Sequence, residues 1–381
     1  MYTISFFAAL SRCNTVLIVF AESGIRGYAM PTQIKVLVVD DSPVVRNVLT
    51  RELQKDPGIN VIDTAPDAFV ARDKIVALKP DVITLDIEMP KMDGLTFLRK
   101  LMEWFPIPVI IVSGLTPKGC SLSLEALEIG AVDVIEKPAL TNDRALAEFS
   151  TRLVDQVKAA SHVRFRRAPA AAARTPRVST LGGAKPTGRT LGRVSNKIVA
   201  IGASTGGTEA LKKVLERMPV DCPPILIVQH MPGSFTKAFA ERLNRQTPIE
   251  VLEAADGMEV RTGRAIIANG DYHLLIRKSA GKWQAETRDG PLVCRHKPSV
   301  EVLFNSFAKH VGANAIGVML TGMGKDGADA MKNMRDAGAR TIAQDEKSCV
   351  VFGMPKEAIK AGAVEKIVPL DMVTDSVLSF L

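Results

Sequence analysis

The chain has 381 residues, which is long enough for two domains with hydrophobic cores of their own. Hydrophobic residues make up 46% of it and charged residues 24%, an ordinary balance for a soluble globular protein. The five cysteines are scattered and lack Cys-x-x-Cys spacing, which excludes a disulfide framework or a zinc site and indicates a reducing compartment.

Polar side chains follow most of the strands predicted in the first half of the chain. Five strands alternate with helices, near residues 34–39, 59–63, 81–85, 108–112 and 132–136. The side chains at their carboxyl ends are Asp40, Asp41, Asp86, Ser113 and Lys137. Because the carboxyl ends of parallel strands meet at one edge of a sheet, we expect these five groups to form one cluster.

The chemistry of this cluster fits phosphate acceptance. Carboxylates bind Mg²⁺ through hard oxygen ligands, and a lysine and a hydroxyl at neighbouring strand ends can hold phosphoryl oxygens. A single acid in such a turn is usually a helix cap. A set of suitable groups at successive strand ends instead favours a phosphate-accepting site.

A basic segment, residues 158–194, separates the two halves of the chain. Ten Lys and Arg and no Asp or Glu fall within residues 158–197, so the net charge of +8 belongs here and not to either half. The Ala, Pro and Gly of this segment bury too little apolar area to fold, and we expect a flexible tether. The charge therefore does not indicate nucleic-acid binding, and no nucleic acid is expected as a partner.

The second half predicts another α/β sheet. Its strands are expected near residues 198–201, 225–228, 250–253, 264–267 and 316–320. Residues 271–288 alternate between apolar and polar positions and predict an antiparallel hairpin that turns at residues 279–281.

Ser204 is the candidate nucleophile of this half. The first strand runs into Gly-Ala-Ser-Thr-Gly at residues 202–206, a Gly-x-Ser-x-Gly pattern whose glycines allow a sharp turn that exposes a hydroxyl at the sheet edge. The N–H groups that open the next helix, such as that of Thr205, can stabilise an oxyanion. A Gly-rich turn can also merely bind phosphate, so this pattern alone leaves both interpretations open.

A base and an acid follow at the same sheet edge. His230 ends the apolar run 225–230, and Asp326 lies in the Gly-rich turn after the strand at 316–320. Alone, His230 would be interpreted as a satisfied histidine and Asp326 as a helix cap. Together with Ser204 they favour a Ser-His-Asp triad. The chain order differs from the Ser-Asp-His order of the usual Gly-x-Ser-x-Gly hydrolases, which indicates a different architecture.

Both halves resemble known families on these residues. Residues 31–157 resemble a two-component response-regulator receiver domain. Residues 195–381 resemble the methylesterase domain that acts on chemotaxis receptors, with matching motifs in the same order at residues 202–207, 228–232, 296–304 and 320–327. The implied fold is a flavodoxin-like (βα)₅ receiver linked to a doubly wound, mostly parallel α/β domain with a Ser-His-Asp triad.

The receiver resemblance implies a role for each polar group of the first half. Asp86 matches the phosphorylated aspartate, and Asp40 and Asp41 match the acids that bind Mg²⁺ beside it. Ser113 matches the switch hydroxyl, and Lys137, before a cis proline at position 138, matches the lysine that contacts the phosphoryl group. A chemotaxis histidine kinase is the implied phosphodonor.

The methylesterase resemblance implies Ser204 as nucleophile, His230 as base and Asp326 as orienting acid. The backbone N–H groups of Thr205 and Met323 are implied at the oxyanion site. The implied reaction hydrolyses glutamate methyl esters, and deamidates glutamine, on helices of methyl-accepting chemoreceptors in the cytoplasm. No cofactor is expected for this reaction.

Residues 1–30 precede the predicted receiver. Their apolar run at residues 16–20 is far too short to span a membrane, and no membrane insertion is expected. Arg12 beside this run gives a faint likeness to a signal peptide, which is the less favoured interpretation for a cytoplasmic receiver. Because the segment from Met30 begins as receivers normally do, we expect residues 1–30 to be disordered or to reflect a mis-assigned start.

Three other protein classes fit the sequence less well. A dinucleotide-binding dehydrogenase would need an acid at the end of the second strand of this half, where Gln229 and His230 stand. A response-regulator transcription factor would need a basic recognition helix in the second half, which is instead a large apolar α/β domain. A non-catalytic adaptor would lack a complete triad, and all three members are present here.

Overall fold

The apolar segments of the first half, most of which are followed by polar residues, form the strands of one parallel sheet. The computed structural model, which describes residues 33–114, 116–137, 143–163, 190–192 and 195–381, places these strands at Ile34–Val39 (β1), Ile59–Ala65 (β2), Val82–Leu85 (β3), Val109–Ser113 (β4) and Asp133–Glu136 (β5). Their order in the sheet is β2-β1-β3-β4-β5. This is the flavodoxin-like order, and it gathers the ends of β1, β3, β4 and β5 along one edge.

Helices cover both faces of this sheet, because both faces are apolar. They span Pro43–Leu53 (α1), Ala68–Leu78 (α2), Gly94–Trp104 (α3), Pro117–Ile129 (α4) and Asp143–Ser161 (α5). Val36 and Val38 of β1 point into one hydrophobic core, and the intervening Leu37 points into the other. Side chains of Ser42, Asp67, Asp93 and Thr116 accept hydrogen bonds from the first turns of α1 to α4 and so begin these helices.

The last receiver helix continues past the predicted end of that domain at residue 157. α5 continues to Ser161. The extra residues are held against the receiver, because Ala159 and Ala160 are buried and Lys158 Nζ lies 2.6 Å from Asp56 Oδ2. The first residues of the segment 158–194 are therefore helical and not part of a tether. Residues 164–189 and 193–194, like residues 1–32, lie outside the described part of the chain, and the domain limits stay predictions.

The second half folds around a seven-stranded parallel sheet. Its strands are Ile198–Ala203 (β6), Ile225–Gln229 (β7), Glu250–Glu253 (β8), Arg264–Ile267 (β9), Ala315–Met319 (β12), Arg340–Gln344 (β13) and Lys366–Val368 (β14), in the order β14-β13-β12-β6-β7-β9-β8. β13 and β14 are not predicted by the sequence. β13 mixes polar and apolar residues over five positions and β14 has only three residues, so neither carries a clear strand pattern.

Helices and one hairpin complete this second domain. The helices span Gly207–Glu216 (α6), Gly233–Gln246 (α7), Val300–His310 (α8), Ala328–Asp336 (α9), Met354–Lys360 (α10) and Val373–Leu378 (α11). The predicted hairpin is present as His273–Ser279 (β10) and Lys282–Arg288 (β11), paired antiparallel. It turns at Ala280 and Gly281, whose φ angles are 49° and 79°.

The two domains share an apolar contact made by receiver helix α4. Leu124 and Leu127 of α4 belong to the same hydrophobic cluster as Phe239 of α7, and α4 packs against both α6 and α7. Beside them, Glu128 Oε1 accepts hydrogen bonds from Gln246 Nε2 at 3.0 Å and Lys212 Nζ at 3.4 Å. The receiver is thus docked on the second domain. Across the described residues, no helix combines the length and apolar character that crossing a membrane requires.

Candidate active site

Three neighbouring strands of the second sheet bring Ser204, His230 and Asp326 to one edge. β6 lies between β12 and β7, and both neighbours run parallel to it. Ser204 follows β6 and His230 follows β7 directly. Asp326 stands in the Gly-rich turn between β12 and α9. The structure thus brings together the three side chains that the sequence places at this edge.

The three side chains form one hydrogen-bonded chain. Ser204 Oγ lies 3.2 Å from His230 Nδ1, and His230 Nε2 lies 2.8 Å from Asp326 Oδ2. A carboxylate can only accept, so Nε2–H donates to Asp326 and Nδ1 is left to accept the proton of the serine hydroxyl. The imidazole therefore faces Ser204 through Nδ1 and is held in the tautomer that a general base needs.

Asp326 is held by the amino terminus of α8. Its carboxylate accepts hydrogen bonds from Ser299 Oγ at 2.7 Å and from the backbone N–H groups of Val300 at 2.7 Å and Glu301 at 3.0 Å. Burial acts to raise the pKa of Asp326, but the bonds from His230, Ser299 and Val300 outweigh burial and lower it below its ordinary value. Asp326 therefore stays charged at neutral pH and can stabilise a protonated His230.

A close approach between two turns places the residues of the expected oxyanion site. A Cβ atom added at Gly322 would lie 2.7 Å from Ser204 Cβ, so only glycine allows the turn after β12 to approach the serine this closely. Met323, next along this turn, and Thr205, next to Ser204, both line the cavity onto which Ser204 opens. The two backbone segments expected to bind an oxyanion thus lie on the same cavity as the serine.

Two residues that support the base are not predicted as functional by the sequence. His296 stacks on His230 with ring centroids 3.8 Å apart and an interplanar angle of 12°. Burial and the neighbouring His230 lower the pKa of His296 to about 3, so its ring is neutral. Gln229, buried, donates from Nε2 to the carbonyl oxygens of Ser204 at 3.0 Å and His230 at 3.2 Å. The sequence signal for His296 is that it opens the motif at residues 296–304.

The receiver covers this site. A cavity of about 390 Å³ opens at Ser204, and Asp133, Ile135, Arg152, Asp155 and Gln156 of the receiver form one of its walls. Thr205 Oγ1 donates a 3.0 Å hydrogen bond to Asp133 Oδ2 across the domain boundary. In this arrangement the receiver forms part of the wall of a cavity that is still partly open to solvent.

The carboxylates predicted in the receiver also meet at one place. Asp40, Asp41 and Asp86 each offer an oxygen, and these oxygens all lie within 4.8 Å of one another. Such a set of hard oxygen donors fits Mg²⁺. Burial raises the pKa of Asp86, and the bond from Lys137 acts against this shift.

Lys137 and Ser113 lie beside these acids. Lys137 Nζ is 2.7 Å from Asp86 Oδ2 and 2.9 Å from Asp40 Oδ2. Ser113 is buried at the end of β4, which pairs with β3, the strand that ends before Asp86. The expected cis proline at position 138 lies outside the described residues.

Together, the two sites and their folds define a class of protein. The second domain is an α/β domain with the Ser-His-Asp geometry of serine hydrolases at the carboxyl edge of its sheet, and the first domain has the fold and the acid cluster of a receiver. A receiver that forms one wall of the cavity at this site places the chain among response regulators whose output domain has the geometry of an enzyme.

Comparison with known proteins narrows this class. The CheB methylesterase family matches residues 199–377, and the response regulator receiver domain matches residues 36–148. A protein-glutamate methylesterase/protein-glutamine glutaminase of Syntrophus aciditrophicus is 56% identical over 347 residues, covering 91% of this chain and 99% of that relative. One of Rhodospirillum rubrum is 51% identical over 358 residues, covering 92% of this chain and 99% of the relative.

Among solved structures, the chain is similar to the CheB methylesterase catalytic domain of Thermotoga maritima, with 38% identity and a TM-score of 0.48, over 49% of this chain and 100% of that one. It is also similar to the response regulator domain of Thermotoga maritima CheB, with 40% identity and a TM-score of 0.32, over 35% of this chain and 98% of that one. The chain belongs to the protein-glutamate methylesterase/protein-glutamine glutaminase family. The resemblance inferred from the sequence is thereby confirmed, and the two parallel sheets with their covering helices confirm the predicted α/β fold class.

Proposed function

We propose that this chain removes methyl groups from glutamate γ-methyl esters, and ammonia from glutamine side chains, on cytoplasmic helices of chemoreceptors. The observation that carries the proposal is the hydrogen-bonded chain from Ser204 through His230 to Asp326 at a cavity of about 390 Å³. Family membership supports the choice of substrate, since the named relatives are protein-glutamate methylesterases and protein-glutamine glutaminases.

His230 starts the reaction by taking the proton of Ser204 at Nδ1. The serine oxygen then attacks the γ-carbonyl carbon and forms a tetrahedral oxyanion. The charge of Asp326 stabilises the imidazolium, and the backbone N–H groups of Thr205 and Met323 are the proposed donors to the oxyanion.

The leaving group receives its proton from the same imidazolium. Methanol departs from an ester, or ammonia from an amide, and an acyl bond to Ser204 Oγ remains. Water, deprotonated by His230, then attacks the acyl carbon through a second oxyanion. The products are glutamate and the free serine, so a neutral side chain becomes a carboxylate.

Asp86 is the proposed phosphate acceptor of the receiver, with a chemotaxis histidine kinase as phosphodonor. Asp40 and Asp41 would hold Mg²⁺ together with Asp86, and the ion when bound neutralises phosphoryl charge. Lys137, already 2.7 Å from Asp86 Oδ2, is placed to pair with a phosphoryl oxygen. Ser113 is the proposed hydroxyl contact.

Methanol release tests this proposal. We expect the full chain, supplied with Mg²⁺ and a small phosphodonor, to release methanol from a methylated soluble chemoreceptor fragment. Ser204→Ala should lower this rate by about 10⁶-fold, since only binding and oxyanion contributions remain. Ser279→Ala, which removes an exposed hydroxyl at the hairpin turn, is the matched control and should behave as wild type. Near-normal methanol release by Ser204→Ala would refute the assignment of the nucleophile.

A further inference from the structure

A strained turn holds Arg295 at the rim of the catalytic cavity. Val293 and His296 exchange backbone hydrogen bonds of 3.0 and 2.9 Å, which leaves Cys294 and Arg295 at the corner of a two-residue turn. Their φ angles are 51° and 69°, in the left-handed region where such turns normally carry Asn and Gly. Backbone strain of this kind persists only where the surroundings enforce it, and it occurs most often at functional sites.

The same turn is anchored to the base. His296, its last residue, stacks on His230, and Arg295 and Cys294 both line the cavity with Ser204. The backbone of Arg295 is therefore held in place next to His230. Arg295 is exposed, whereas Lys297 nearby is engaged by Asp289 Oδ1 at 2.9 Å.

In the described part of the chain, the acids that line the cavity all come from the receiver, whereas three of its four lining cations come from the hydrolase domain and the fourth, Arg152, from receiver helix α5. Among the described residues that line the cavity, the hydrolase domain contributes Arg295, Lys297 and Lys325 and no acid. The acids of the cavity wall, Asp133 and Asp155, come from the receiver. Burial raises the pKa of Asp155, and the positive charge of Arg295 acts against this shift. Both side chains line the same cavity.

Receiver helix α5 presents one of its faces to the cavity. Arg152, Asp155 and Gln156 have the spacing of one helix face, and all three line the cavity. A glutamine beside an acid on a helix has the chemistry of the substrate proposed above. The reacting ester or amide is neutral, so a cation at the rim is explained by a neighbouring carboxylate and not by the reacting group.

We propose that Arg295, assisted by Lys325, binds a carboxylate one helical turn from the reacting residue, and that Asp155 of α5 lies beside this subsite when the receiver is docked. Side chains three and four residues apart share a helix face, so such a carboxylate reaches the rim while the ester reaches Ser204. The subsite rests on the proposed function. It adds a substrate preference of the enzyme, namely for methyl esters and glutamines that are flanked by acidic residues.

A comparison of two substrates tests the subsite. Both are soluble chemoreceptor fragments with one glutamate γ-methyl ester, and the residues three and four positions to either side are Glu in one and Ala in the other. The full chain is assayed with Mg²⁺ and a phosphodonor, and kcat/KM for methanol release is measured on each. We expect wild type to prefer the acidic fragment by about tenfold, the size of a charge-assisted contact.

Variants then assign the preference. Arg295→Ala should reduce the ratio of the two kcat/KM values towards one, and Arg295→Lys should keep part of the preference for the acidic fragment. The control variant is Lys309→Ala, which removes an exposed cation on α8 and should leave the ratio as in wild type. Because receiver docking affects both fragments equally, the ratio isolates recognition. Asp155→Asn should raise the unstimulated rate on both fragments without changing the ratio.

The two proposals fail in different ways. Methanol from both fragments without a preference in wild type, or a preference that survives Arg295→Ala, overturns the subsite and leaves the esterase proposal standing. An unstimulated rate that Asp155→Asn does not raise overturns the part of the proposal that concerns Asp155. No methanol from either fragment overturns the proposed function and the subsite with it.

Discussion

Asp326 accepts hydrogen bonds from four groups: His230 Nε2, Ser299 Oγ and the N–H groups of Val300 and Glu301. An amide in its place would lose the counter-charge and would offer N–H where His230 needs an acceptor. We expect Asp326→Asn to lower kcat for methanol release by about 10⁴-fold, less than Ser204→Ala, because the nucleophile remains. Wild-type turnover by the Asn variant would point to a Ser-His dyad or to another acid such as Glu301.

The stacking of His296 on His230 gives a second prediction. The neutral His296 ring restricts rotation of the base, whose Nδ1 must stay near 3.2 Å from Ser204 Oγ. His296→Ala should lower kcat roughly tenfold with little change in KM, because small misplacements of a catalytic group are costly. His296→Phe keeps a flat ring and should restore most of the activity. If Phe were no better than Ala, the ring nitrogens and not the stack would be what matters.

The elements that the sequence predicts well are those whose pattern is local. β1 and β3 are apolar runs that end in acids, and the carboxyl edge follows from their being parallel, so Asp40, Asp41 and Asp86 could be grouped from the sequence. The Gly-framed turn after β6 likewise marks Ser204. β13 and β14 lack such a pattern, and they are strands because they pair with neighbouring strands of the sheet, β13 with β12 and β14 with β13.

Contacts between distant elements could not be predicted from the sequence in this way. His296 reaches His230 from a loop, and Thr205 meets Asp133, at the start of β5, across 72 positions of the chain. Neither contact leaves a periodic or spaced signal, because each depends on how whole elements pack. Docking of the receiver beside Ser204 is such a contact too, because it depends on how the two domains pack against each other.

The contact between β5 and the turn after β6 carries a pH prediction. Burial raises the pKa of Asp133 from its ordinary 3.8 to about 6, while the bonds from Val134 and Thr205 act against the shift. The docked state thus binds a proton that the open state releases between about pH 4 and 6, so docking weakens as the pH rises through this window. Asp133→Asn keeps an acceptor for Thr205 without the ionisation and should remove the effect.

Small-angle scattering of the full chain checks this prediction. Wild type should expand as the pH rises towards 6, and Asp133→Asn should stay compact over the same range. Equal expansion of both proteins would assign the change to groups other than Asp133.

Across the whole molecule, a receiver that forms one wall of the catalytic cavity implies control by a shift between docked and undocked states. Phosphorylation of Asp86 should weaken docking of α4 and β5 on the hydrolase domain. Lys137 directly follows β5, β5 packs against α4, and both elements contact the hydrolase domain. The alternative is that the receiver only localises the enzyme. The two models differ in what happens when the receiver is removed.

Deleting residues 1–190 should therefore give an esterase that is faster than the unphosphorylated full chain on a soluble methylated receptor fragment. Asp86→Asn in the full chain should abolish stimulation by a phosphodonor with Mg²⁺ while keeping the unstimulated rate, because the cavity stays covered. A melting curve of the truncated domain controls for its folding. A folded truncated domain slower than the unstimulated full chain would contradict inhibition by the receiver and favour localisation, and the chemistry at Ser204 would be unaffected by that result.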